Sequence, residues 1–393
     1  MTHSTRERLL IPTLLISLLF TSALISSAVA CYWDKDTLAS EKRKFPGVLE
    51  LLTGRFKRHS PEFYQWRITD RERRLEETPD QLPLMDDLAV ALDKTGSHKE
   101  AAEVMLRALK LNPNRYETHA NLGTIYIHSS QFDKGLKHID RALEINPKAH
   151  FGREIIQREL VTYVLKIRAN KQESSDQAEP VNSAGQQIDP QAQPTTKDPS
   201  GSIHAETKAR FKLPLYRNQD GYNIDCSRAL QRVTDDFDQL KRHKTLGAKG
   251  DELSCPGLGK AFGFAAHLRD KKISFKDGLK GIMGMMKFSN HKHPILLEAL
   301  GDLLLAHRSF GSMGRKDAKQ LASRAYLSAS RHTRGEAAQS YQAKALMALV
   351  GTRQKLSFMQ VQTQFKREVA RGDQFFTRHT KRERRNIQKG EVP

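Results

Sequence analysis

The chain is predicted to be all-α: a solenoid of helical hairpins, then a flexible linker, then a second, basic helical domain. Three observations predict this. Leu88, Ala101, Ala108 and Pro113 return 34 residues later as Leu122, Gly135, Ala142 and Pro147, a period typical of stacked helical hairpins. Leucine and alanine recur at helical spacing between 294 and 348. The composition also suits packed helices: 38% of the 393 residues are hydrophobic, enough for cores in two or three domains. A mean hydropathy of −0.61 excludes a polytopic membrane protein. Three cysteines exclude a disulfide-dense scaffold and a Cys₄ zinc site.

The first segment, residues 1–30, reads as an export signal. Arg6 and Arg8 precede an uncharged, Leu/Ile-rich stretch, and Ala28 and Ala30 stand at −3 and −1 before Cys31. A small residue directly before Cys31 resembles the lipobox of bacterial lipoproteins, although Ala28 stands where Leu is usual. Lipid on Cys31 would hold the chain on a membrane, each buried CH₂ contributing about 0.8 kcal/mol. Secretion after cleavage, and an uncleaved N-terminal anchor over 9–30, remain open beside it. All three readings place the rest of the chain outside the cytoplasm, in the cell envelope or periplasm. Cys226 and Cys255 are expected to pair there, closing a loop of about 30 residues worth on the order of 3 kcal/mol; two buried thiols are the alternative.

In the N-terminal helical segment 31–81, Ser60-Pro61-Glu62 opens a helix carrying Phe63, Tyr64, Trp66, Ile68 and Leu75. Pro79 lies 34 before Pro113 and suggests a degenerate earlier repeat, with Arg67 and Arg74 where small residues are wanted. Residues 82–149 hold the two regular hairpins. Small residues at Ala89/Gly123 and Ala101/Gly135 let paired helices approach closely. Ser97 with Glu100, and Ser130 with Asp133, read as capping boxes, and Pro113 and Pro147 stop the second helices.

This pattern, together with Asn121-Leu122-Gly123 followed by Tyr126, resembles the tetratricopeptide repeat. The resemblance implies a protein- or peptide-binding scaffold without catalytic activity or cofactor. It implies a concave groove lined by the first helix of each hairpin: Asp86, Asp87, Val90 and Asp93, then Glu117, Asn121, Thr124, Ile127 and His128. The capping helix expected over 150–170 adds Glu154 and Arg158. The family's carboxylate clamp needs several Lys and Asn, and only Asn121 fits. The groove is therefore expected to be acidic and to favour a basic or polar peptide, this chain's own basic half being one candidate; polar residues that are merely hydrated are the alternative. Asp86, Asp87, Asp93, Asn121 and Thr124 are the expected contacts. The layout as a whole, with Cys31-Tyr32-Trp33-Asp34 after the signal, also resembles bacterial envelope repeat proteins, which implies no activity.

Residues 171–207 lose all periodicity and are rich in Gln, Ser, Asp and Pro, as expected of a flexible linker reaching roughly 30–37 Å. The basic domain follows over 208–393. Residues 1–210 hold 30 Lys+Arg against 28 Asp+Glu, whereas 211–393 hold 35 against 17, so nearly all of the +20 charge lies there. Leu300-Gly301 with Leu304, and Ala318 with Ala325, resemble a divergent further repeat. A basic face suits an anionic lipid surface, an envelope polymer or an acidic protein, and export argues against nucleic acid. A solubilising surface is the plainer reading.

Catalytic patterns fail on inspection. Gly257-Leu258-Gly259-Lys260 lacks the first Gly and the Ser/Thr of a phosphate loop. His291-Lys292-His293 has no nearby partner at ligand spacing and reads as a surface turn before Pro294. Met283, Met285 and Met286 read as packing. Gly278, Gly281 and Gly284 have no account from sequence. An enzyme with its site in 211–290 is the rival reading.

Overall fold

The computed structural model describes residues 32–35, 37, 39, 45–148, 152–176, 216–217, 223–224, 263–307, 315–349 and 358–392. The expected signal peptide, Cys31, Cys226, Cys255, the phosphate-loop-like run and most of the linker lie outside them. Among the described residues the fold is all-helical apart from one two-residue antiparallel ladder. The helices are α1 (Val48–Thr53), α2 (Pro61–Glu77), α3 (Leu82–Lys94), α4 (His98–Leu111), α5 (Tyr116–His128), α6 (Phe132–Ile145) and α7 (Arg153–Asp176). They continue as α8 (Gly263–Asp270), α9 (Phe275–Phe288), α10 (Pro294–Ala306), α11 (Arg315–Arg331), α12 (Gly335–Met347) and α13 (Phe358–Gln388). The ladder pairs Tyr216–Arg217 with Asn223–Ile224. None of these helices is long and apolar enough to cross a membrane.

The chain divides into two compact units. One comprises Met1–Val161 with Glu252–Pro393, the other Thr162–Asp251. The division expected between a repeat half and a separate basic domain over 208–393 is therefore not the one the contacts draw. In the second unit, the described residues are the end of α7 and the ladder.

Within the first unit each helix from α2 to α6 packs on the next, as stacked hairpins require. Ser60 caps α2, its hydroxyl accepting from the Phe63 N–H at 3.3 Å, with Pro61 at the first helical position. The two central hairpins, α3/α4 and α5/α6, occupy the span the 34-residue period predicts. Their core runs from Ile68 and Leu75 through Leu88, Ala101 and Met105 to Leu122 and Ile125. The close approach is real at α5/α6: a Cβ on Gly123 would stand 2.6 Å from Ile139, and one on Gly135 2.7 Å from Ile127.

The expected capping boxes do not form. The Ser97 side chain makes no cap bond, and α6 is capped at Gln131 because Ser130 turns left-handed at φ 62° to end the preceding turn. A serine in that conformation belongs to the loop rather than the helix start.

Helices α8–α12 again pack in sequence, and α13 runs back across α1, α2 and α11. Glu383 closes this return, accepting from His59 Nδ1 at 2.5 Å and from the Ser60 N–H at 2.8 Å. The glycines of α9 now have a physical role. A Cβ on Gly281 would meet Ile156 of α7 at 2.6 Å, and one on Gly284 the Arg153 side chain at 2.5 Å, so α7 lies directly on that stripe. Met283, Met285 and Met286 are buried packing, as expected. His291 and His293 are not at the surface: both are buried, and His293 Nδ1 accepts from the Ile295 N–H to cap α10.

Candidate functional site

Helices α3 and α5 carry Asp86, Asp87, Asp93, Asn121, Thr124 and His128. All six are buried, between 0 and 4% exposed. What buries them is the chain itself. Residues 32–35 lie against them, Tyr32 and Trp33 irregular, Asp34 at a bend and Lys35 already helical, with Asp34 Oδ1 accepting from the Thr37 N–H at 2.9 Å.

Asn121 grips this peptide by its backbone: Oδ1 accepts from the Trp33 N–H at 2.9 Å, and Nδ2 donates to the Trp33 carbonyl at 3.0 Å. Such a reciprocal pair satisfies both polar groups of one residue, which burial would otherwise leave costly. Asp87 Oδ1 accepts from the Lys35 N–H at 3.0 Å. The side chains add specificity. Tyr32 donates its phenol to Asp93 Oδ2 at 2.6 Å, Trp33 stands edge-on to Tyr116 at 5.4 Å, and the Asp34 carboxylate meets Arg67 at 3.0 Å.

The acidity expected of the groove is neutralised within this half of the chain rather than by its basic half. Arg67 and Arg71 of α2 both pair with Asp87, at 2.9 and 3.0 Å. Arg115 makes a two-pronged contact with Asp86. Arg67 occupies a position where a tetratricopeptide hairpin would carry a small residue; the mismatch in sequence is the groove's counter-ion in space.

Asp93 accepts from three directions: His98 Nδ1 at 2.5 Å, His128 Nδ1 at 2.6 Å and the Tyr32 phenol. Burial raises its pKa, but His128 and the three hydrogen bonds outweigh that and hold the carboxyl well below its usual range. Burial and the charge of Asp93 push the Tyr32 phenol far above its ordinary value. Lys94, desolvated beside this cluster, is lowered to about 8; its ammonium lies 4.7 Å from the Tyr32 ring centre and donates to the Phe288 carbonyl.

Two expected groove residues serve elsewhere. Thr124 accepts from Gln157 Nε2 at 3.1 Å, joining α5 to α7. Arg158 is half-exposed and pairs with Asp140 at 2.7 Å. Sequence reasoning had not placed Tyr32, Trp33, Arg67, Arg71, Arg115 or His98 at the site. The signal available was chemical: an aromatic pair and an acid directly after the export segment, and two arginines on a helix face that should be small or apolar.

Comparison with known proteins agrees with this geometry. The tetratricopeptide repeat family profile matches residues 83–115 and 116–149. Among curated proteins the chain is similar to BBSome complex member BBS4 of Bos taurus, 40% identical over 62 residues, which is 16% of this chain and 12% of that protein. The chain thus spans about an eighth of that relative's length. No solved structure gives a significant match. Residues 83–149 carry two tetratricopeptide repeats, a class of module that binds proteins and peptides.

Proposed function

We propose that the protein is a non-enzymatic tetratricopeptide scaffold of the bacterial cell envelope, held at a membrane through Cys31 lipid or an N-terminal anchor. Its groove holds the chain's own residues 32–35 as a resident peptide. The observation that carries the reading is the pair of hydrogen bonds between the Asn121 side chain and the Trp33 backbone. A groove that reads backbone polar groups is built for a peptide segment, and a protein partner must displace that segment or use another face. Asn121→Ala removes the side chain that bonds both Trp33 backbone groups, at a cost of about 1–3 kcal/mol. Hydrogen exchange on the full-length protein should then show faster exchange at 32–35 with α3–α6 unchanged, and stronger capture of partners from an envelope extract. Unchanged exchange at 32–35 would remove the resident-peptide reading.

The basic half supports a second reading, binding to an anionic lipid surface. Arg367, Arg371, Arg378, Lys381, Arg382 and Arg385 are exposed on α13. At 100° per residue they share an arc of roughly 100° with no carboxylate in it, opposite the buried Val361 and Phe365. Each cation near such a surface adds about 1 kcal/mol, weakened by salt. Flotation of the protein with phosphatidylglycerol vesicles should be salt-sensitive and lost on Arg378→Glu/Arg382→Glu. Equal flotation with neutral vesicles would refute it.

A further inference from the structure

Beyond peptide docking, we propose that Asp93, His98 and His128, joined by the Tyr32 phenol, form a transition-metal site of the zinc class that locks the N-terminal segment into the groove. The ligand atoms of Asp93, His98 and His128 all lie within 4.8 Å of one another. They come from three separate pieces of backbone: the end of α3, the start of α4 and the end of α5. The fourth donor arrives with the docked segment, its oxygen 2.6 Å from Asp93 Oδ2 and 3.4 Å from His128 Nδ1. Two imidazoles, one carboxylate and one phenol make an N₂O₂ set, which suits zinc and its neighbours and not calcium or magnesium, whose ligands are oxygens.

His128 engages the cluster through one ring nitrogen only. His128 is 1% exposed, and its Nε2 is a buried atom with no hydrogen-bond partner. A ring kept at that cost is held by what its other nitrogen does. Nδ1 is the nitrogen that faces Asp93 Oδ2 and the Tyr32 phenol, and an ion there supplies more binding energy than one hydrogen bond to a shared carboxylate. Ligands about 2.0–2.1 Å from a tetrahedral ion stand roughly 3.3 Å apart, a spacing that falls within the 4.8 Å over which the ligand atoms of Asp93, His98 and His128 lie. No electron transfer or covalent step is involved; the ion takes the place of protons that the ligands release.

The test uses the untagged full-length protein, stripped with a chelator, desalted, and titrated with zinc and then cobalt. Elemental analysis after gel filtration should give one zinc per chain, with a rise in melting temperature, and cobalt should give the intense visible bands of a four-coordinate site. His98 sits at the rim, so His98→Ala disturbs the fold least; it should bind at least tenfold more weakly, with an unchanged circular dichroism spectrum before metal is added. Tyr32→Phe, which keeps three ligands, should retain cobalt but alter its bands. The proposal is overturned by a wild-type protein that keeps no stoichiometric ion, or by His98→Ala binding as tightly as wild type. A cobalt spectrum unchanged in Tyr32→Phe would remove the locking role. Neither failure touches the hydrogen bonds between Asn121 and Trp33, which stand or fall by exchange at 32–35.

Discussion

The concave face of the repeats and the contact of α7 with α9 are both fully buried, yet they are built from opposite materials. The groove is crowded with ions: Asp34, Arg67, Arg71, Asp86, Asp87 and Asp93 are all under 9% exposed. The α9 contact is a glycine stripe covered by Ile156 and the Arg153 side chain, with Met283, Met285 and Met286 behind it. Apolar packing fixes how close two helices lie but accepts many sequences of similar volume. A network of buried ions adds little net stability, yet it penalises every wrong partner and register. One contact therefore positions helices, while the other selects a peptide.

The contrast can be broken most severely at Asp87. It pairs with Arg67 and Arg71 and receives the Lys35 N–H, so Asp87→Ala takes one carboxylate from each of two buried guanidinium groups, leaving Arg67 with Asp34 and Arg71 with Asp70. Losing one member of a buried pair costs about 3–5 kcal/mol. Urea denaturation should show a loss of that size. Replacing Asp86 and Asp93 as well, which pair with Arg115 and His128, should deepen the loss.

Acid sharpens the comparison next, through His291, buried with its ring edge-on to Phe56 at 5.3 Å. Burial, helped by Arg58, Lys292 and His332, pushes its pKa down to about 3. The folded protein keeps this ring neutral, while the unfolded chain takes up a proton below about 6.5. Its contribution is thus complete above pH 6.5 and is lost as pH falls toward 3, by about 2–4 kcal/mol in all. Denaturation midpoints between pH 7 and 4 should fall, and His291→Gln should flatten that slope. A slope unchanged in the variant would assign it to other groups.

The smallest effect is expected in the apolar contact. Gly281→Ala places a methyl 2.6 Å from Ile156, and overpacking of this kind costs about 1–3 kcal/mol. The melting temperature should drop, while exchange at 32–35 stays slow. Loss of protection there as well would show that the two contacts are coupled.

Much of the fold was legible because helical hairpins of one length leave a period in the chain. Leu88/Leu122, Ala101/Gly135 and Pro113/Pro147 place α3–α6 within a few residues, and Gly123 and Gly135 announce a close approach that Ile127 and Ile139 then fill. The helices that carry the expected groove residues, α3 and α5, were legible for the same reason. Their occupant was not. Residues 32–35 have no period, and their bonds to Asn121, Asp87 and Arg67 span 88, 52 and 33 positions. The caps expected at Ser97 and Ser130 failed because a capping motif is also a good turn, and the turn's geometry won at Ser130.

Sequence by itself determined the local and repeated features: helical elements, their pairing with immediate neighbours, and the charge excess after residue 210. Only the tertiary structure decided that the acidic groove is matched by Arg67, Arg71 and Arg115, that Trp33 lies against Asn121, and that α13 returns to α1 and α2. The physical reason is range. Helix periodicity and loop length act over a few residues and are written in each repeat, whereas ion matching and peptide docking depend on which surfaces meet after the helices have stacked.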